Sequence, residues 1–366
     1  MTNSYSNLPI LNTKQHFQIL DGLRGVAAIS VVIFHFMEIA IPDYHDDFIA
    51  HAYLAVDFFF CLSGFVIAYA YDNRIKTLGV IQFLKLRLIR LHPLVLIGAI
   101  IGLAAFILDP FINLFEKYGY LQTFLMFLSG SFLIPYAIVP ERYFNLFHLN
   151  PPTWSLFWEY IANICYGLLF FKIRNKVLWL LTIIASFLLC YEAYHSKYLG
   201  VGWSGDTFAG GGIRVFYSFL AGMLVFRSKW IIKSKLGFTA LGILLIAAFL
   251  FPFSEKINFV TDPFLVIFYF PLILALGAGA MVNTYTQTVC KFFGEISYPL
   301  YMVHYPFIWI FYSYVIKMKP GMTEMALITV IGLPLLLGFA YLVLKFVDVP
   351  IRRKLTDKMK KNMLAA

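Results

Sequence analysis

LDGLRGVAAISVVIFHFMEIA, residues 20–40, decides the fold. Apart from Arg24, Ser30 and His35, every residue from Gly22 to Phe36 is apolar. A run of about 20 such residues is what an α-helix needs to cross a hydrocarbon core. Reading outward by the same rule gives eleven hydrophobic stretches, at 20–41, 52–71, 88–108, 121–139, 153–171, 177–193, 211–226, 236–252, 263–282, 296–316 and 323–346. They follow one another with short breaks, show no repeat period and leave no room for a soluble domain. Composition agrees, with 61% hydrophobic and only 13% charged residues, too few to cover the surface of a soluble domain. The chain is therefore read as an all-α integral membrane protein.

The formal net charge of +10 would suggest nucleic acid in a soluble protein. Here the basic residues sit mostly in the breaks between apolar stretches, where they set topology. If all eleven stretches cross, basic clusters two spans apart fall outside. If 121–139, which holds Ser129, Gly130, Ser131 and Pro135, does not cross, most of the basic residues collect on one side. The expectation is a polytopic bundle of about ten transmembrane helices with one non-spanning (re-entrant or interfacial) hydrophobic segment and both termini cytoplasmic. No signal-peptide pattern precedes it. The expected organisation is an N-terminal cytoplasmic tail over 1–15, a membrane domain over 16–353 and a basic cytoplasmic tail over 354–366. Cys61, Cys165, Cys190 and Cys290 show no CxxC spacing and read as structural thiols; no metal-ligand spacing is present.

Ionisable groups inside spans are costly and mark functional paths. Arg24 and His35 lie eleven residues apart, three helical turns plus about 20°, so they share a face with a rise of about 16 Å. Asp21 and Glu38 extend that stripe. A snorkelling arginine and a packed histidine would explain one such residue, but four on one stripe point to function. Asp57 lies at a depth matching His35, and a carboxylate beside an imidazole fixes its tautomer and raises its basicity. Lys85, Arg87 and Arg90 flank the third span; the RxxR pair places two guanidinium forks on one face, a geometry suited to phosphate. Glu159 follows Pro151 and Pro152, which suit a helix start, about 10 Å into the membrane. Buried there it is either paired or protonated. The last polar group, Ser297, Tyr298, Tyr301 and His304, shares one span with Pro306, a residue able to kink it.

Five blocks in order, LDGLRGVAAISVVIFHF with its R-x10-H spacing, YLAVDFFFCLSGFVIA, RLIRLHP, NPPTWSLFWE and ISYPLYMVHYP, resemble acyltransferase family 3, membrane-bound O-acyltransferases of the bacterial lipopolysaccharide and peptidoglycan O-acetylase type. The likeness runs from about residue 16 to 353 and closes on DVPIRRKL. It implies transfer of an acyl group, usually acetyl from acetyl-CoA or another acyl-CoA, to a hydroxyl of a cell-surface or lipid-linked glycan, in the bacterial inner membrane. By the resemblance, Arg24 and His35 are essential, Arg87 and Arg90 hold the donor with Lys85 beside them, and Glu159 is the acid of the WSLxxE block. Many members carry a second acid after it, where this chain has Tyr160. Many also have a C-terminal hydrolase-like domain, and the chain is read as the stand-alone form.

The expected mechanism puts His35 as general base or transient acyl carrier, Asp57 as its orienting acid, and Glu159 in acceptor positioning or proton transfer. Trp154, Ser155, Tyr298, Tyr301 and His304 are possible substrate contacts. The expected partners are acyl-CoA, a glycan acceptor and membrane lipids, with no nucleic acid and no metal. Two rivals are a proton-coupled transporter using the same buried groups as a relay, and a non-catalytic sensor that binds acyl-CoA without turnover.

Overall fold

The computed structural model describes residues 17–365; the tail expected over 1–15 lies outside them. The chain runs through α1 (Gln18–Ala40), α2 (Ala55–Tyr71, entered from a 3₁₀ turn at Ala50–Leu54), α3 (Ile75–Leu78), α4 (Val80–Ile107), α5 (Leu114–Phe132), α6 (Thr153–Leu168), α7 (Asn175–Ser196), α8 (Phe208–Arg227) and α9 (Phe238–Phe249). Then come α10 (Asn258–Phe264) and α11 (Phe270–Gly279), joined by a π turn at Leu265–Tyr269, followed by α12 (Thr284–Val303), α13 (Tyr305–Met318) and α14 (Met322–Val343). A second π turn at Leu344–Asp348 leads into α15 (Val349–Ala365), where the basic tail expected from residue 354 continues as helix. Two isolated bridges, Asn145 to Ser204 and Ser234 to Ala280, are the only β pairing among the described residues.

Seven helices among the described residues are long and apolar enough to cross a membrane: Gln18–Ala40, Ala50–Tyr71, Val80–Ile107, Asn175–Ser196, Phe208–Arg227, Asn258–Gly279 and Met322–Asn362. The other expected spans fall on shorter or broken helices. α6 has 16 residues and α9 has 12. The stretch 296–316 divides at His304 between α12 and α13. Pro306 causes this break: it has no N–H to give the carbonyl of Met302 four residues earlier, and the side-chain amide of Asn150 donates to that carbonyl instead, at 2.8 Å. The stretch 121–139 is helical only to Phe132; Leu133 is left-handed at φ 58° and the chain then runs on without helix.

The apolar windows of α2 and α8 are 78% and 72% buried, whereas those of α7 and α14 are only 28% and 22% buried. α2 and α8 thus form the middle of the bundle, and α7 and α14 face outward with their apolar side chains. Small residues let the central helices touch. A Cβ on Gly222 of α8 would stand 1.8 Å from the carbonyl oxygen of Cys61 on α2, and lipid-embedded helices gain most of their association from such close backbone contact. On the other central pair, a Cβ on Gly25 of α1 would stand 2.5 Å from Phe293 Cβ of α12. These two approaches fix where Asp57 and Arg24 sit.

Candidate active site

The close α1–α12 contact brings Arg24 within reach of α12. Its Nε donates to Ser297 Oγ at 2.9 Å and its Nη2 to the Gly294 carbonyl at 2.6 Å, with Asp21 3.3 Å away. Across from it, Arg87 of α4 donates through Nε to Asn163 Oδ1 and through Nη2 to Glu159 Oε1, both at 2.9 Å. Ser63 Oγ donates to the same Glu159 oxygen at 3.1 Å. Arg90 is half-buried one helical turn beyond Arg87 and has no hydrogen-bond partner among the described residues. Arg24, Arg87 and Arg352 are close enough to repel it, and Asp348 attracts it. Arg24, Arg87, Arg90, Ser63, Ser155, Glu159 and Tyr298 line a cavity of about 180 Å³.

A second cavity, about 790 Å³, contains His35 and Glu38. His35 Nδ1 lies 2.6 Å from Glu38 Oε1. An ionised carboxylate only accepts, so in the neutral imidazole the proton sits on Nδ1 and the lone pair on Nε2. Tyr305 donates to Glu38 Oε1 at 3.3 Å and Tyr44 to Oε2 at 3.4 Å, which holds the carboxylate from both oxygens. The ring of His304 stacks on that of His35, with centroids 5.3 Å apart and planes 20° apart. His304 Nδ1 donates to the Leu300 carbonyl at 3.0 Å, and its Nε2 is buried without a partner among the described residues. Aromatic side chains make the walls, among them Tyr44, Trp154, Tyr198, Trp203 and Trp309. Beside the cavity, outside the spans, burial is the main cause that raises the Asp47 carboxyl to about 6; the charge of Glu38 raises it further, while the Ile49 N–H opposes both. The two cavities share Val56 and Tyr301 as a common wall, and the Tyr301 hydroxyl is hydrogen-bonded to Ser155 Oγ at 2.8 Å.

Two expectations need correction. Asp57 is not the carboxylate beside His35; Glu38 is. Asp57 is completely buried against Arg214, whose Nη2 and Nε donate to its Oδ2 at 2.6 and 3.1 Å. Depth had matched Asp57 to His35, but the guanidinium on the adjacent α8 is the stronger partner for a dry carboxylate. Glu159 lines the arginine cavity and is paired with Arg87, one of the two states expected of it. Lys85 is exposed and lines neither cavity: two residues before Arg87, it points to a different side of α4. Of the possible substrate contacts, Trp154 lines the histidine cavity, Ser155 and Tyr298 the arginine cavity and Tyr301 both, while His304 lies behind His35.

Sequence reasoning passed over Arg214 and Glu38. Arg214 lies six residues inside α8, and a cation within an apolar helix is itself a signal. It also donates to the carbonyls of Val201 and Tyr53 at 2.7 and 2.8 Å and stacks 5.3 Å from the Trp154 ring. Glu38 had been placed on the stripe of Arg24 and His35 without a role; its i,i+3 spacing from His35 is the spacing of helical neighbours.

The fold is that of a multi-pass helical membrane protein with two adjoining cavities. A family profile described as an acyltransferase domain matches residues 17–345, and the chain belongs to that family: it is a multi-pass membrane acyltransferase. The chain is similar to Protein 2 in picA locus of Rhizobium radiobacter, 35% identical over 169 residues, covering 42% of this chain and 82% of that protein. It is also similar to O-acetyltransferase OatA of Staphylococcus aureus (strain NCTC 8325 / PS 47), 24% identical, covering 96% of this chain and 60% of OatA. With the putative O-acetyltransferase SACOL0978 of S. aureus strain COL the identity is 25%, covering 92% of this chain and 57% of that protein. The chain therefore spans only about three fifths of the S. aureus proteins. No solved structure matches it.

Proposed function

We propose that the chain is an O-acyltransferase that takes an acyl group, acetyl by default, from acyl-CoA in the arginine cavity and passes it to a glycan hydroxyl in the histidine cavity. The observation that carries this reading is the common wall: Val56 and Tyr301 line both cavities. Arg90, with no hydrogen bond of its own, and Arg87 and Arg24 beside it suit the donor phosphates. The rise of about 16 Å from Arg24 to His35 along α1 is close to half a hydrocarbon core, so a thin thioester arm passing Tyr301 reaches His35 while its phosphates stay behind.

His35 Nε2 takes the proton of the acceptor hydroxyl as that oxygen attacks the thioester carbonyl. The C–S bond breaks, the CoA thiolate leaves, and the imidazolium returns the proton to it. Glu38 holds the tautomer and stabilises the imidazolium. The Asp57–Arg214 pair fixes the wall carrying Trp154. In this reading the bundle lies in the bacterial inner membrane and crosses ten times, with α6, α9 and the α12–α13 pair completing the set. Both termini and the arginine cavity are cytoplasmic, and the tails 1–15 and 354–366 flank a membrane domain over 16–353.

The test is label transfer in membranes carrying the wild type or His35→Ala, supplied with acetyl-CoA labelled in the acetyl group. Label entering glycan with the wild type, and falling at least about 100-fold in the variant, is expected of a general base. Label entering no glycan fraction would overturn the reading; undiminished transfer by His35→Ala would remove His35 from its centre.

A further inference from the structure

The histidine cavity carries an uneven charge. Among the described residues its acids are Glu38, Asp43, which lies 2.9 Å from His45, and Glu255, and its one permanent cation is Arg214. That guanidinium is not free to meet a ligand: it is 1% exposed, paired with the fully buried Asp57 and hydrogen-bonded to two backbone carbonyls. Lys197 and Lys256, beside Tyr198 and Glu255 in the chain, do not line the cavity. Asp43 and Glu255 are exposed, at the open side of the cavity, whereas His35 and Glu38 are half-buried at 18% each. An acceptor that enters from that open side meets acids before it meets His35. The walls between are rings whose faces attract a cation, and most of their donors are already engaged: Tyr44 and Tyr305 on Glu38, Tyr53 on Asp262, Trp203 on the Gly200 carbonyl and Trp309 on the His148 carbonyl.

We infer that this cavity selects its acceptor by charge: an amino-bearing sugar is preferred to a neutral one, and a sugar carrying a carboxylate or phosphate near the reacting hydroxyl is excluded. This rests on the acyl-transfer reading for the identity of the site and goes beyond it in naming the acceptor class. It also gives the two cavities opposite preferences. The guanidinium cluster retains an anionic donor, and the acids beyond Tyr301 oppose passage of that donor into the acceptor's cavity.

The experiment uses the full chain in nanodiscs with three methyl glycosides that differ only in charge: a glucosaminide, a glucoside and a glucuronide. Their affinities for the protein carrying His35→Ala are measured by calorimetry without turnover, and their KM values as acceptors are measured with the wild type. The expected affinity falls in the order amine, neutral, acid, with on the order of tenfold between the ends, as two or three partly screened charges give. The spread shrinks at high salt, and the double variant Asp43→Asn, Glu255→Gln reduces it to within about threefold at low salt. Preference for the glucuronide, an order indifferent to the double variant, or binding of none of the three would overturn the inference. If the order appears in binding while no label is transferred, the acyl-transfer reading fails and charge selection stands. If label is transferred to the glucuronide best, charge selection alone fails.

Discussion

Two arginine–carboxylate pairs stand in contrast: Arg214 with Asp57 behind the wall of the histidine cavity, and Arg87 with Glu159 lining the arginine cavity. Arg214 and Asp57 are 1% and 0% exposed, whereas Arg87 and Glu159 are 15% and 20% exposed. The sealed pair has its remaining donors on backbone carbonyls and its face on Trp154. The open pair shares its cavity with Arg90, which has no hydrogen-bond partner among the described residues, and with Arg24. A sealed pair is costly to break and insensitive to ligands, because loss of one partner leaves a bare charge in a dry place. An open pair can exchange its carboxylate for an incoming phosphate. In the proposed reading, one bundle uses the same chemistry once to fix a wall and once to receive a ligand.

The largest effect should follow from breaking the sealed pair. Asp57→Ala leaves Arg214 buried and alone, which costs about 3–5 kcal/mol. The expected outcome is loss of folded protein in detergent size-exclusion chromatography, and recovery when Asp57→Leu is combined with Arg214→Met. A well-folded Asp57→Ala with a selective loss of turnover would instead return Asp57 to the chemistry. Next comes Glu38→Gln, which removes the charge that holds His35 in its tautomer. We expect kcat for transfer to fall about 100-fold with donor KM little changed. The reverse split, a raised donor KM with intact kcat, would move Glu38 out of the proton path.

On the open side, Arg90→Ala should raise donor KM by about tenfold, the worth of one charge-assisted hydrogen bond. Lys85→Ala should change it less than about twofold, as an exposed charge outside the cavity does. Equal effects of the two substitutions would mean that the donor meets the outer surface of α4 and not the cavity.

The sequence made the helical membrane class legible because some 20-residue apolar runs have no soluble explanation. It made the arginine side legible as well: Arg87 and Arg90 are spaced to share a face of α4, and helix geometry is local. Pairing between helices was not legible. Asp57 and Arg214 are 157 residues apart, and matching depths cannot say which helices are neighbours. The neighbours are chosen by Gly64 and Gly222 at the α2–α8 contact and by Gly22, Gly25 and Gly294 at the α1–α12 contact. A glycine in a hydrophobic run gives no sign of the partner it admits. The break at His304 was half visible, since Pro306 announces a kink, but the Asn150 amide that takes up the freed carbonyl comes from a distant loop.

The smallest expected effect tests the approach to the histidine cavity. Asp47 is 4% exposed; its Oδ1 accepts from the Ile49 N–H at 2.9 Å, and its Oδ2 is buried without a partner. Burial, its largest cause, raises its folded pKa to about 6. An acid with a raised folded pKa binds more protons folded than unfolded, so stability is greater at low pH and is lost as pH rises between the unfolded and folded values, here from about 4 to about 6. Asp47→Asn keeps the acceptor for Ile49 and removes the charge. At pH 8 it should raise the melting temperature by up to about 3 °C, and below pH 4 the gain should vanish because the wild-type carboxyl is then protonated in both states. A gain of the same size at both pH values would show that the amide adds a hydrogen bond. A loss at pH 8 would show that the charge is wanted, which would make Asp47 a further member of the acidic approach to His35.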